Sequence, residues 1–115
     1  AARADGFLAN SPPEVLWNGF LADGFVLEPG SEAEGVLANA HRQAFGTDMG
    51  ARITTAVNDT RFYGLYFDMP ALCYGPRGEM AHGFDERTDL AFLKTTTLAI
   101  AGFIVDWCGI TSLSD

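Results

Sequence analysis

The spacing of apolar residues changes along this chain, and each change predicts an element. Near the C-terminus Leu90, Leu93, Thr97, Ile100, Ile104 and Trp107 recur at steps of three and four, which sets them on one face of a long helix. Phe92, Ala99 and Phe103 widen that face, Asp89 is placed to cap the helix, and Gly109 supplies its stop. A second helix is predicted from Ser31. Ser31-Glu32-Ala33-Glu34 has the form of a capping box, Val36, Leu37, Ala40 and Ala44 share a face, and Gly46 ends the run.

Between and before these helices the period shortens. Ile53-Thr54-Thr55-Ala56-Val57 is rich in β-branched residues and predicts a strand. Asn58 and Asp59 can cap a short helix from Thr60 to Tyr66, which Met69-Pro70 breaks. Ala71-Leu72-Cys73-Tyr74 predicts a short apolar strand, and a loop rich in glycine and charge runs from Gly75 to Arg87. Upstream, Val15 and Trp17 alternate with polar neighbours, so one or two extended pieces are expected between Glu14 and Val26. Residues 1–10 are expected to be the tail of a helix closed by Asn10-Ser11-Pro12-Pro13, and the opening Ala-Ala-Arg-Ala-Asp suggests that the helix begins elsewhere.

From Ser31 on, the order helix, strand, helix, strand, loop, helix predicts an α/β layer, with helices packed on a mostly parallel sheet. Two strands do not make a stable sheet. The sheet is therefore expected to be completed by another chain or by sequence outside these 115 residues.

Composition narrows the function classes. The residues are 48% hydrophobic and 19% charged, a globular balance. The net charge of −8, with seven scattered Lys and Arg, argues against nucleic acid and against an anionic membrane surface. No signal peptide is visible, and the Ala-rich stretch Leu98–Val105 is too short to span a membrane. Cys73 and Cys108 lie in apolar runs and are expected to be buried free thiols, which suits a reducing, cytoplasmic setting.

Three constellations bear chemistry. His82 lies in a loop after a predicted strand, with Asp85 and Glu86 close behind. Strand ends are where α/β folds place ligands, and imidazole with carboxylates suits zinc; an ordinary loop histidine fits the same pattern. Asp59 and Arg61 open the short helix, where Arg61 offers a fork for a carboxylate or serves as a surface charge. Gly75-Pro76-Arg77-Gly78 could present backbone amides to an anion. His41, flanked by Arg42 and Gln43, is expected to be a solvated surface histidine.

Taken in order, Asn58-Asp59-Thr60-Arg61-Phe62-Tyr63-Gly64, Met69-Pro70-Ala71-Leu72-Cys73-Tyr74-Gly75-Pro76, Ala81-His82-Gly83-Phe84-Asp85-Glu86-Arg87 and the long helix resemble the C-terminal part of the acetylornithine deacetylase and succinyl-diaminopimelate desuccinylase family, relatives of aminoacylase-1. Asp106-Trp107-Cys108-Gly109 suits the acetylornithine deacetylase branch, and Pro12-Pro13-Glu14-Val15-Leu16-Trp17-Asn18-Gly19-Phe20 resembles the last strand of the lid domain inserted into these enzymes.

The resemblance implies that residues 1–27 are the exit of the lid, or dimerisation, domain, and that residues 28–115 are the returning half of a zinc-peptidase-like catalytic domain. It implies an enzyme that deacylates N-acyl amino acids by attack of a metal-activated water on the amide. Two zinc ions, or cobalt, would serve the full-length enzyme, with none held stably by this piece alone. His82 would be the metal ligand contributed here, and Asp85 or Glu86 would orient its ring. Arg61 and the loop of Gly75, Pro76 and Gly78 would bind the substrate carboxylate, with Asp59 alongside as a further substrate-binding residue. The general base and remaining ligands would lie in an N-terminal part of the same enzyme, the expected partner, so no catalytic base belongs to this chain; a homo-oligomer is also implied. The family's Gly-Gly-Thr before Asp-x-Arg reads Ala56-Val57-Asn58 here, which leaves the substrate open.

Two other readings start from the same residues. One is a non-catalytic α/β binding or assembly module that pairs through Phe92, Phe103 and Ile104. The other is an unrelated small α/β domain.

Overall fold

The computed structural model describes residues 2–111. Helix α1 spans Glu32–Phe45, and its start follows the capping chemistry in the sequence. The Ser31 hydroxyl accepts from the Glu34 amide at 3.2 Å, and the Glu34 carboxylate accepts from the Gly30 amide at 2.7 Å. Gly46 ends the helix in the left-handed region at φ 71°, where a side chain would be strained, and its amide donates to the Arg42 carbonyl at 2.8 Å.

Helix α2, Thr60–Phe67, is short, and it is Asn58 rather than Asp59 that caps it. Asn58 Oδ1 accepts from the Thr60 amide at 3.0 Å and from the Thr60 hydroxyl. The Asp59 carboxylate makes no capping bond and is left exposed. Gly64 has a packing reason to lack a side chain: a Cβ there would lie 2.2 Å from the Phe25 ring, which rests on this face of α2.

Helix α3, Leu90–Cys108, is capped by Asp89, whose Oδ1 accepts from the amides of Ala91 and Phe92 at 2.7 and 3.1 Å. It packs against α1 along a seam of small residues. Ala33, Leu37 and Ala40 of α1 and Thr96 and Ala99 of α3 are buried, and Gly102 approaches Ala40 closely. The Leu/Ile part of the predicted face is not the packed one; its flank of Phe92, Ala99 and Phe103 is, with Ala99 buried and the two phenylalanines half-buried. Leu90, Ile100 and Ile104 are exposed, and the buried stripe runs through Thr96 and Ala99. Small residues win because they let two backbones approach, while the bulky aliphatics have no opposing surface among the described residues. At 19 residues α3 is also long and apolar enough, by length and composition alone, to cross a membrane, which the sequence reading of Leu98–Val105 did not anticipate. One such helix makes no membrane assignment, because core helices meet the same criterion.

The sheet among the described residues is one short antiparallel ladder. Strand β1 (Gly78–Glu79) pairs with β2 (Arg87–Thr88), Gly78 opposite Thr88 and Glu79 opposite Arg87. It lies inside the stretch expected to be loop, since two-residue strands leave no periodic trace. The expected strands at residues 53–57 and 71–74 join no ladder. Their β-branched and apolar character is a preference for packing on a neighbouring strand, and no such neighbour is present among the described residues. At the start, a 3₁₀ turn (Ala2–Ala4) and a turn closed by Asp5 replace the expected helix tail.

The two cysteines are free but exposed, contrary to the expectation of buried thiols. The residues flanking Cys73, Leu72 and Tyr74, are half-buried, while Cys73 itself and Cys108 at the end of α3 face outward. The whole measures 75 × 35 × 29 Å with a radius of gyration of 20.4 Å. A globular chain of this length would have about 13 Å.

Candidate functional site

The hairpin carries His82 at its tip, between β1 and β2. The backbone there is tightly turned. His82 has φ 64° and Met80 φ 55°, and the Gly83 amide donates to the Met80 carbonyl at 2.7 Å. Histidine tolerates the left-handed region better than most residues, which lets the turn project an imidazole. His82, Asp85 and Glu86 are all exposed. His82 makes no hydrogen bond among the described residues. The base of the hairpin is tied by Arg87, whose guanidinium pairs with the Glu79 carboxylate at 2.7 Å, a surface pair worth little by itself. No group of three or more His, Cys, Asp or Glu converges among the described residues. The donor set therefore fits a contributed ligand, one free imidazole with carboxylates in the same loop, and not a complete metal site.

Arg61 sits in the first turn of α2. Its guanidinium lies 4.2 Å from the Phe62 ring centroid and 5.4 Å from that of Phe20, so two aromatic faces hold it. Its Nε is buried without a hydrogen-bond partner. No hydrogen bond, ion pair or ring contact joins Arg61 to His82 among the described residues.

Gly75 and Pro76 are exposed immediately before β1, and Gly78 is committed to the ladder. Side chains from both long helices hold this loop. The Tyr74 hydroxyl shares a hydrogen bond with His41 Nδ1 at 2.7 Å, and the Arg77 guanidinium lies over Phe92 at 5.3 Å. His41 stacks on Phe45 at 4.5 Å, and Phe45 packs on Phe92 at 4.9 Å. Partial burial raises the Tyr74 pKa above its ordinary value. His41 is thus not the solvated histidine its polar neighbours suggested. The i, i+4 spacing of His41 and Phe45 was the available signal, but their partners lie more than thirty residues away in the chain.

Two hollows flank these groups. One of about 350 Å³ is apolar and opens between α1, α2, residues 69–72 and the Phe103–Trp107 end of α3. The other, about 400 Å³, lies between the hairpin and the start of α3 and includes Arg77, Glu79, Arg87 and Asp89.

No protein-family model matches the chain. A curated relative does: over 116 residues the chain is 26% identical to an N-formyl-4-amino-5-aminomethyl-2-methylpyrimidine deformylase of Halalkalibacterium halodurans. The match takes in 93% of this chain and 27% of the relative, so the chain spans about a quarter of that protein's length. By its name, the relative is a hydrolase that removes a formyl group from nitrogen, an amide-bond reaction. The likeness is thus to an amidohydrolase.

Proposed function

We propose that this chain is the C-terminal portion of a metal-dependent amidohydrolase that deacylates N-acyl amino acids in the manner of acetylornithine deacetylase, and that it is inactive by itself. The observation carrying this reading is the likeness, along nearly the whole chain, to an enzyme that cleaves an N-acyl bond. On this reading the fold is the returning half of an α/β catalytic domain, with residues 1–27 leaving a lid domain. The protein works in the cytoplasm, as a homo-oligomer, and touches neither nucleic acid nor membrane.

Each residue then has a task. His82 would hold one of two zinc ions, with Asp85 or Glu86 orienting its ring, and the ions supply polarisation of the amide carbonyl and a lowered pKa for water. Arg61, with an unpartnered Nε and the Phe20 and Phe62 rings against its guanidinium, is built to grip a carboxylate without first losing another partner. Asp59, its carboxylate free of capping duty, stands beside it. Gly75, Pro76 and Gly78 form the loop that, together with Arg61, would hold the substrate's α-carboxylate. Holding the acid at fixed points presents the scissile bond in one orientation.

The relative's named substrate is a pyrimidine without a carboxylate, so N-formyl aminopyrimidines belong in the same assay as N-acyl amino acids. The deciding experiment uses the full-length protein. His82→Ala is expected to lower zinc content and reduce turnover by at least about 10³-fold, with the circular dichroism spectrum retained. Wild-type zinc content and rate in that variant would reject the role of His82.

A further inference from the structure

We infer that His41 is a positioning residue for the Gly75–Gly78 loop, acting through the Tyr74 hydroxyl; this rests on the reading of that loop as facing substrate. From Asp68 to Arg77 the chain joins no ladder among the described residues, so strand pairing does not set where the loop begins. Side chains do. At the loop's entrance the Tyr74 hydroxyl lies 2.7 Å from His41 Nδ1, and the two rings meet edge to face at 5.8 Å and 87°. At its exit the Arg77 guanidinium lies over Phe92, and the Thr88 hydroxyl donates to the Arg77 carbonyl at 2.7 Å.

Phe45 links the two anchors. It stacks on His41 at 21° and packs on Phe92 at 45°. Entrance and exit are thereby referred to α1 and α3, which are packed on each other. Gly75 and Pro76 span the interval between the anchors, exposed and with no side-chain tether of their own. Among the described residues the Tyr74–His41 hydrogen bond is the one hydrogen bond that the Tyr74 side chain makes at the entrance. The edge-to-face ring contact alone allows the tyrosine ring to slide, and with it the amides that follow.

The test compares His41→Phe, which keeps the stack on Phe45 but loses the hydrogen bond, with Tyr74→Phe, their double variant, and His41→Gln, which keeps a hydrogen-bonding group. Two readouts are taken on the full-length protein. The first is the rate of trypsin cleavage after Arg77, which reports loop freedom without reference to activity. The second is the separation of KM from kcat for an N-acyl amino acid. Each single Phe variant is expected to raise both the cleavage rate and KM by about tenfold, the upper range for one hydrogen bond, with kcat within about twofold. The double variant should go no further than either single, and His41→Gln should return most of the way to wild type. Unchanged cleavage and KM in Tyr74→Phe, or effects that multiply in the double variant, would overturn the assignment. If the wild-type protein hydrolyses no amide, the proposed function fails while the cleavage rates still judge His41.

Discussion

Arg61 and Tyr74 show how much a single side chain's surroundings decide. The Arg61 Nε is buried without an acceptor, a state that costs about 1–3 kcal/mol when nothing compensates. A ligand carboxylate would supply the acceptor, and the flanking Phe20 and Phe62 rings keep the fork aimed. Arg61→Ala in the full-length enzyme is therefore expected to raise KM for an acid substrate at least about tenfold with a smaller change in kcat, and Arg61→Lys to recover only part of this because lysine lacks the planar fork. If KM stays at the wild-type value while the melting temperature falls, Arg61 is structural. Tyr74 makes a prediction about pH. Its pKa is raised in the folded chain, so the neutral phenol is the favoured form. The stability this contributes is complete below the unfolded value near 10 and is lost as pH rises through the higher folded value. Denaturant titrations above pH 10 should show wild type losing stability more steeply than Tyr74→Phe; parallel curves would refute the coupling. His82, Arg61 and the Gly-Pro loop could be picked out from the sequence because their residue types and spacing are local. Their surroundings could not, because Phe20 meets Arg61 and His41 meets Tyr74 only through long-range packing.

At the level of elements, the helices were the most legible. Ser31, Gly46 and Asp89 act within one turn of their own position, so their capping was readable from neighbouring residues. The strands were not, since a strand is defined by its partner. Gly64 yields a test of how α2 is packed. Replacing glycine by alanine inside a helix ordinarily stabilises by about 1 kcal/mol. Here the new Cβ would meet the Phe25 ring, which must swing away. Gly64→Ala is expected to destabilise by about 1–2 kcal/mol in the wild-type background and to stabilise by about 0.5–1 kcal/mol once Phe25 is alanine. Chemical denaturation of the four variants checks the change of sign, and a stabilising effect in both backgrounds would mean that Phe25 does not rest there.

At the scale of the whole molecule, the private core is small. Leu37 is the largest buried aliphatic, accompanied by three alanines and by Thr96, whose hydroxyl is buried without a partner. Full burial of a leucine contributes about 1.5–3 kcal/mol, whereas ordering each residue's backbone costs about 1–2 kcal/mol. Meanwhile Trp17, Phe20, Ile53, Leu98 and Ile104 stand exposed. Such a chain gains most of its stability only when those surfaces are covered, which accords with the proposal of a catalytic domain completed by other sequence. The isolated 115-residue chain is expected to bind hydrophobic dyes strongly and to show no amidase activity with zinc added. It should scatter with a radius of gyration nearer 20.4 Å than the roughly 13 Å of a globule. Hydrolysis of an N-acyl amino acid by the isolated chain at an ordinary enzymatic rate would defeat the proposal of a missing half.

The sequence by itself determined the helix ends, the breaks at proline and glycine, and the order of the candidate groups, because each depends on residues within one turn of one another. Tertiary structure alone decided which face of α3 is buried, that His41 holds Tyr74, that Phe20 shields Arg61, and that residues 53–57 and 71–74 stand without a ladder. Those outcomes depend on what lies opposite each residue in space. An apolar or β-branched stretch states a need for a neighbour without saying which neighbour will meet it.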